Sequence, residues 1–294
     1  MARNLLFLLA AAAGLTGLAS AQGPGAKEVF DKAVAAQGAI PKGEVKDITL
    51  RFRGQITEGK RVNTIERTYW YRARDRSFCV LTESKASAKV RSERGVLGES
   101  GYWEKSSRGK IIRLRPGNRE DKASVKTIRK NRDEFEGMLQ MVLLARIADG
   151  KSTLKLVTRA PVRLEQDMPY AAADTLGKDR KEHRYYVLDL ERKGQPKLHL
   201  FIHVGTFTVR KVVQFDVEDP SRRRWFYYFG PFRKDPGTGL MLPVYFSVYD
   251  GLPVDRKSMQ ARNRVRGQPT VKLNTGLEDE AFRPAETEKL GTRK

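Results

Sequence analysis

Three histidines are the first residues whose chemistry can be weighed against their spacing. His199 and His203 stand four apart, the interval that sets two imidazoles on one helical face around a zinc ion. Their neighbours Leu198, Leu200, Ile202 and Val204 alternate with a period of two, which makes the segment a strand. Strand rise then places the two α-carbons ~13 Å apart, on one face but too far for a shared metal. His183 borders a basic loop with no Cys or carboxylate at ligand spacing. The single cysteine, Cys79, lies in the apolar run Phe78-Cys79-Val80-Leu81 and has no intramolecular disulfide partner. A catalytic thiol needs an electropositive, partly exposed setting and a base, and no His is near in sequence, so Cys79 reads as a buried core residue. No Gly-x-Ser-x-Gly or His-Glu-x-x-His motif occurs, and Gly237-Thr238-Gly239 lacks the Lys and strand-to-helix context of a phosphate loop. The carboxylate pairs Glu134 with Glu136 and Glu278 with Glu280 read as solvated charges. The expectation is no catalytic residue, no metal and no cofactor, hence no enzyme.

The elements that would position any site are mostly strands. Residues 26–37 form an amphipathic helix on Val29, Phe30, Ala33, Val34 and Ala36, ended by Gly38. From Val45 the period becomes two, with Ile48, Leu50 and Phe52 on one face and Thr49, Arg51 and Arg53 on the other. Strands follow at 62–72, 76–83 and 87–94, then a hairpin of Tyr102-Trp103 with Ile111-Ile112. Phe135, Met138, Leu139, Val142, Leu143 and Ile147 repeat at helical spacing and predict a helix over 131–148. Beyond it come strands at 152–159, 183–190, 197–204, 207–217, 224–232, 242–249 and 270–274. About twelve strands, two main helices and no βαβ alternation predict a mainly β (α+β) fold: one large curved antiparallel sheet, or half-open barrel, covered by helices. Segments near 116–132 and 160–182 read as insertions into a single domain spanning 22–294.

The chain of 294 residues has a formal charge of +22. Its N-terminus carries Arg3, a mostly apolar stretch from Leu5 to Leu18, and Ala19-Ser20-Ala21 before Gln22. Residues 1–21 read as a cleaved secretory signal peptide, the other reading being an uncleaved anchor. Gln22 stands where a lipoprotein would carry its lipid-accepting Cys, so the mature chain is expected to be a soluble, unlipidated, exported or periplasmic protein, away from the cytosolic supply of ATP and nicotinamide cofactors. Basic residues are spread widely, with clusters at Arg222-Arg223-Arg224 and between Lys122 and Arg132, and no nucleic-acid-binding motif accompanies them. Anionic membrane surface is therefore the expected partner rather than nucleic acid, approached through Arg222, Arg223 and Arg224; a generally solvated basic surface is the plainer reading.

Broad aliphatic strand faces remain. Leu50 and Phe52, Leu200 and Ile202, Val213 and Phe215, and Val244 and Phe246, with Leu139, Val142 and Leu143 from the helix, are the candidate lining of an apolar cavity suited to an acyl chain. Both chain ends carry a resemblance. Residues Ala26–Gly38 followed by Val45-Lys46-Asp47-Ile48-Thr49-Leu50-Arg51-Phe52-Arg53-Gly54 open the fold. Thr238-Gly239-Leu240-Met241-Leu242-Pro243, Asp250-Gly251 and Asn274-Thr275-Gly276-Leu277-Glu278-Asp279-Glu280-Ala281-Phe282 close it. Together they resemble the LolA-like outer-membrane lipoprotein-sorting superfamily. The resemblance implies a half-open barrel closed by helices, holding lipid or lipoprotein acyl chains for transfer across the periplasm, with envelope donor or acceptor proteins as partners. The alternative is an envelope structural or regulatory module binding a protein or an anionic polymer through its basic surface.

Overall fold

The computed structural model describes residues 23–38, 45–58, 61–84, 89–98, 101–105, 111–114, 126, 132–133, 135–139, 152–158, 160–163, 184–192, 195–216, 218–221, 223–250, 263–266 and 269–283. The N-terminal segment 1–21 and most of the two expected insertions lie outside these residues. Seventeen strands run through the described residues, more than the periodicity predicts. Part of the surplus is two short strands that periodicity missed, at Val162–Arg163 and Asn263–Arg266, and the rest comes from long apolar runs that the backbone divides. Gly230-Pro231 separates β12 (Arg223–Phe229) from β13 (Phe232–Lys234), because proline cannot donate to a ladder. Val244 likewise separates β14 (Met241–Pro243) from β15 (Tyr245–Asp250).

The first sheet has the order β17 (Pro269–Leu273), β1 (Asp47–Glu58), β2 (Arg61–Arg72), β3 (Ser77–Ser84), β4 (Lys89–Leu97), β5 (Gly101–Lys105) and β6 (Ile111–Leu114). The second runs β16 (Asn263–Arg266), β15, β12, β11 (Val209–Phe215), β10 (Leu198–His203), β9 (Arg184–Arg192) and β7 (Ser152–Leu156), with β8 (Val162–Arg163) also on β9. All of these ladders are antiparallel. β16 pairs with β15 and β17 with β1, and the chain passes from Arg266 to Pro269 between them. The two sheets are separate ladders that adjoin at β16 and β17, and together they form a strip whose outer edges are β6 and β7. Among the described residues these two ends do not pair, so the barrel stays open.

Alternation along the strip selects one apolar face. Ile48, Leu50 and Phe52 on β1, Tyr69 and Tyr71 on β2, Leu188 on β9, Leu200 and Ile202 on β10, and Phe246 and Val248 on β15 join one buried cluster with helix residues Val29, Phe30, Ala33, Phe135, Met138 and Leu139. Helix α1 (Ala26–Gln37) needs no charged capping to sit there. Its buried stripe supplies the driving force, since full burial of a Val or Phe contributes ~1.5–3 kcal/mol. Solvent-side pairs Lys27–Asp31 at 2.5 Å and Lys32–Glu28 at 2.7 Å add only a few tenths. The helix stops at Gly38, whose φ of 93° few other residues adopt; a Cβ there would lie 2.8 Å from the Gly239 carbonyl oxygen. The opening and closing segments of the chain thus meet backbone to backbone.

The opposite face of the first sheet is covered by the end of the chain. Asp47 is buried, and its carboxylate accepts the Thr275 N–H (2.7 Å) and hydroxyl (2.9 Å), the Gly276 N–H (2.9 Å) and the Leu277 N–H (3.4 Å). Asn274 takes a φ of 54° and its Oδ1 accepts the Lys46 N–H at 2.6 Å. A 3₁₀ turn at Asp279–Phe282 then drives Phe282 under the Arg72 guanidinium, 4.8 Å from the ring centroid. Trp103 donates its indole N–H to the Phe282 carbonyl at 2.7 Å. Cys79 is buried in this second cluster with Trp103 and Phe282. Gly95 makes the room, because a Cβ on it would stand 2.7 Å from the Trp103 indole nitrogen. The closing motif is a structural clasp, in which the side chains of Asn274, Thr275 and Asp279 anchor the chain.

Candidate functional site

The helix whose described residues are 132–133 and 135–139 occupies the concave face of the strip. Phe135 enters a pocket of rings, stacked on Phe78 with centroids 5.0 Å apart and tilted against Tyr69 at 5.5 Å and Tyr71 at 5.9 Å. Each such ring pair contributes about 0.5–1.5 kcal/mol beyond its buried area. On the other side the helix approaches β11 and β12 through Gly137. A Cβ there would lie 2.4 Å from Gln214 Oε1 and 2.5 Å from the Tyr227 hydroxyl oxygen, which donates to Gln214 Oε1 at 3.0 Å. Glycine costs ~0.5–1 kcal/mol inside a helix relative to alanine, and close seating on the second sheet is what offsets it here.

Polar contacts fasten the same helix to the β2–β3 hairpin. Arg76 donates to both carboxylate oxygens of Glu136, at 2.7 and 2.5 Å, and Tyr71 donates its hydroxyl to Glu136 at 3.1 Å. Asp133 lies 3.9 Å from the same guanidinium. Burial would lower the Arg76 pKa, but the Glu136 carboxylate outweighs it and holds the guanidinium above its ordinary value. Arg76 itself takes a φ of 55°, a left-handed conformation uncommon for a side chain of this size. Arg132, which the sequence groups with an exposed basic cluster, is buried and donates to the Gly98 carbonyl at 2.6 Å. Glu136, expected as a solvated charge, is thus half-buried and paired. Its partner lies 60 positions away, and no local pattern announces a contact of that kind.

Several predicted lining residues come together. Leu50, Phe52, Leu139, Leu200, Ile202 and Phe246 belong to the concave cluster, and Phe52 meets Phe246 at 4.8 Å where the two sheets join. Val213 and Phe215 do not belong to it. They are buried on the other face, Val213 opposite His199 in the ladder and the Phe215 ring 4.6 Å from His199. The reason is a β-bulge: between Phe201 and Ile202 the partner register jumps from Lys211 to Val209, so Val209 and Val212 point into the cluster instead. Val244 is half-buried at the break between β14 and β15, outside the cluster, and its N–H donates to the Pro231 carbonyl at 2.8 Å. Val142 and Leu143 lie outside the described residues, as does Arg222; Arg223 is exposed and Arg224 belongs to β12. Alternation also missed a charge. Arg67 shares a face with Tyr69 and Tyr71, opposite Phe52, and is buried there, donating to Thr82 Oγ1 at 3.0 Å.

Outside this face, the titratable groups singled out by sequence are spread apart. His199 is mostly buried beside Asp189, 3.9 Å away, and burial holds its imidazole below its ordinary value. His203 accepts or donates within its own turn, at 3.0 Å from Thr206 Oγ1. Burial pushes the Cys79 thiol well above its ordinary value, with Glu93 adding to the effect. Among the described residues, no three His, Cys, Asp or Glu side chains gather into a metal-binding group.

Fold and site together define an open, curved antiparallel sheet with helices seated in its apolar concavity. The chain is similar in structure to a LolA superfamily protein from Nitrosomonas europaea, at 16% identity and a TM-score of 0.44 over 89% of this chain and 99% of that one. It is similar also to a DUF1329 family protein from Desulfovibrio piger, at 14% identity and a TM-score of 0.45 over 89% and 98% of the two chains. An outer-membrane lipoprotein-sorting protein domain from Vibrio parahaemolyticus matches at 9% identity and a TM-score of 0.43 over 88% and 95%. No family model matches the sequence, and no curated protein matches it.

Proposed function

We propose that the protein is an exported, non-enzymatic carrier that takes an acyl chain of a lipid or lipoprotein into its concave apolar face, with helix 132–139 as the lid. The observation that carries this reading is the mode of attachment of that helix. Its apolar side covers the concave cluster, while a two-oxygen ion pair from Arg76 and the Tyr71 hydroxyl fix its rim. Apolar packing slides at little cost, whereas an ion pair of this geometry is either made or broken, so the helix has a defined closed position. An acyl chain entering beneath it gains ~0.8 kcal/mol for each methylene removed from water. The formal charge of +22 and exposed residues such as Arg223 suit approach to an anionic membrane.

A second reading has its own support. Ring contacts such as Phe52–Phe246 and Phe78–Phe135 are those of a packed core, which suits an envelope module that binds a protein or an anionic polymer through its basic surface. Native mass spectrometry with lipid extraction, on protein purified from a membrane-containing host, separates the two. The carrier reading expects stoichiometric co-purified lipid, or uptake of a fluorescent fatty acid by delipidated protein. Absence of both overturns it in favour of the packed module.

A further inference from the structure

At one end of the second sheet β9 begins, β10 ends, β11 begins and β12 ends, and a half-buried cationic group stands there without a counterion among the described residues. Arg210 is the residue skipped by the bulge in β11. Its Nε and Nη1 atoms are closed to solvent and have no hydrogen-bond partner, and among the described residues it makes no ion pair. The Tyr185 hydroxyl nearby is also buried and without a hydrogen-bond partner. The guanidinium is held in place nonetheless. Its central carbon lies 5.4 Å from the Phe232 ring centroid, and Gly230, at a φ of 143°, leaves the space it fills, since a Cβ would stand 2.0 Å from Nη1. Burial lowers the Arg210 pKa, and only the Tyr185 hydroxyl acts against it. Burial likewise raises the pKa of Tyr185, so its proton stays available for donation.

A guanidinium stays charged in proteins, and a buried charge without a counterion is costly by several kcal/mol. Natural cores pair it, and among the described residues no side chain does so. A planar fork of N–H donors beside a phenolic O–H matches the oxygens of a tetrahedral oxyanion, which guanidinium groups bind through two parallel hydrogen bonds. We propose that Arg210 and Tyr185 form a binding site for a phosphate group, either free or as a lipid headgroup. The site does not depend on the carrier reading.

The test is calorimetric titration of the whole protein with inorganic phosphate at pH 7, with ionic strength held constant by chloride, and in parallel with dihexanoyl phosphatidic acid below its micellar concentration. Arg210→Gln is expected to weaken phosphate binding by at least about a hundredfold, from the loss of two hydrogen bonds to a charged donor. Tyr185→Phe should weaken it about tenfold. Exposed Arg223→Gln should leave it unchanged, which separates this site from the general basic surface. Without phosphate, Arg210→Gln should melt no lower than the wild-type protein, because it removes an uncompensated charge. Should Arg210→Gln not fold, Arg210→Lys and Tyr185→Phe carry the comparison. Tighter binding of phosphatidic acid than of phosphate identifies a lipid headgroup, and equal binding identifies a free oxyanion. Phosphate binding that is absent from the wild type, or within threefold of it in both Arg210→Gln and Tyr185→Phe, overturns the proposal. Lipid uptake without phosphate binding overturns it too, while leaving the carrier reading intact.

Discussion

The contact between Arg76 and Glu136 is where the carrier reading exposes itself most. In Glu136→Gln the charge is lost, together with the pairing that two short hydrogen bonds provide, while side-chain volume is kept. Fully exposed ion pairs contribute about 0–1 kcal/mol and breaking fully buried ones costs ~3–5 kcal/mol. Side-chain exposures of 31% for Arg76 and 14% for Glu136 put this pair between the two. About 2 kcal/mol is the expected cost, and a double-mutant cycle with Arg76→Gln should recover most of it as coupling. If the helix is a lid, that energy belongs to closure rather than to the sheet. Fluorescent fatty-acid uptake, followed by stopped flow, should then accelerate by about tenfold or more, because 1.4 kcal/mol corresponds to a factor of ten. Hydrogen exchange should rise at 135–139 while the central strands β1 and β10 keep their protection. Coupling below about 0.5 kcal/mol, or exchange rising equally in helix and sheet with uptake unchanged, would refute the reasoning and make the helix part of one packed core.

Asp47→Ala removes the acceptor for four donors of the closing segment and should destabilise the fold by about 2–4 kcal/mol, read by urea unfolding, since buried N–H groups lose their partner. Cys79 should resist a thiol reagent at pH 8 in the native protein and react within seconds in denaturant; rapid native labelling would show that the Trp103–Phe282 cover opens. His199 takes up a proton less readily when folded than at its ordinary value of 6.5, so the unfolded chain binds more protons as acidity rises. Its contribution is complete above about pH 6.5 and declines below it, and His199→Gln should flatten the fall in melting temperature between pH 7 and pH 5; an unchanged slope would remove His199 from the account.

The sequence by itself determined the class of fold. Helix α1, the strand at Ile48–Phe52, the hairpin of β5 with β6 and the meander of β9 to β11 follow from periodicity, because burial on one face repeats every two or 3.6 residues and leaves that record in the chain. Buried Cys79 was legible for the same reason, lying in an uninterrupted apolar run. Tertiary structure decided what periodicity does not encode. One inserted residue at Arg210 shifts the alternation of β11 and turns Val213 and Phe215 away from the face that holds Val209 and Val212. The partners of Arg76 and Asp47 stand 60 and 228 positions distant, so Glu136 looks solvated and the Asn274–Phe282 ending looks like a motif without a purpose until folding brings them together. Local patterns report how much water each residue avoids, while the identity of the group it meets instead is fixed only when the strands curve around the helix.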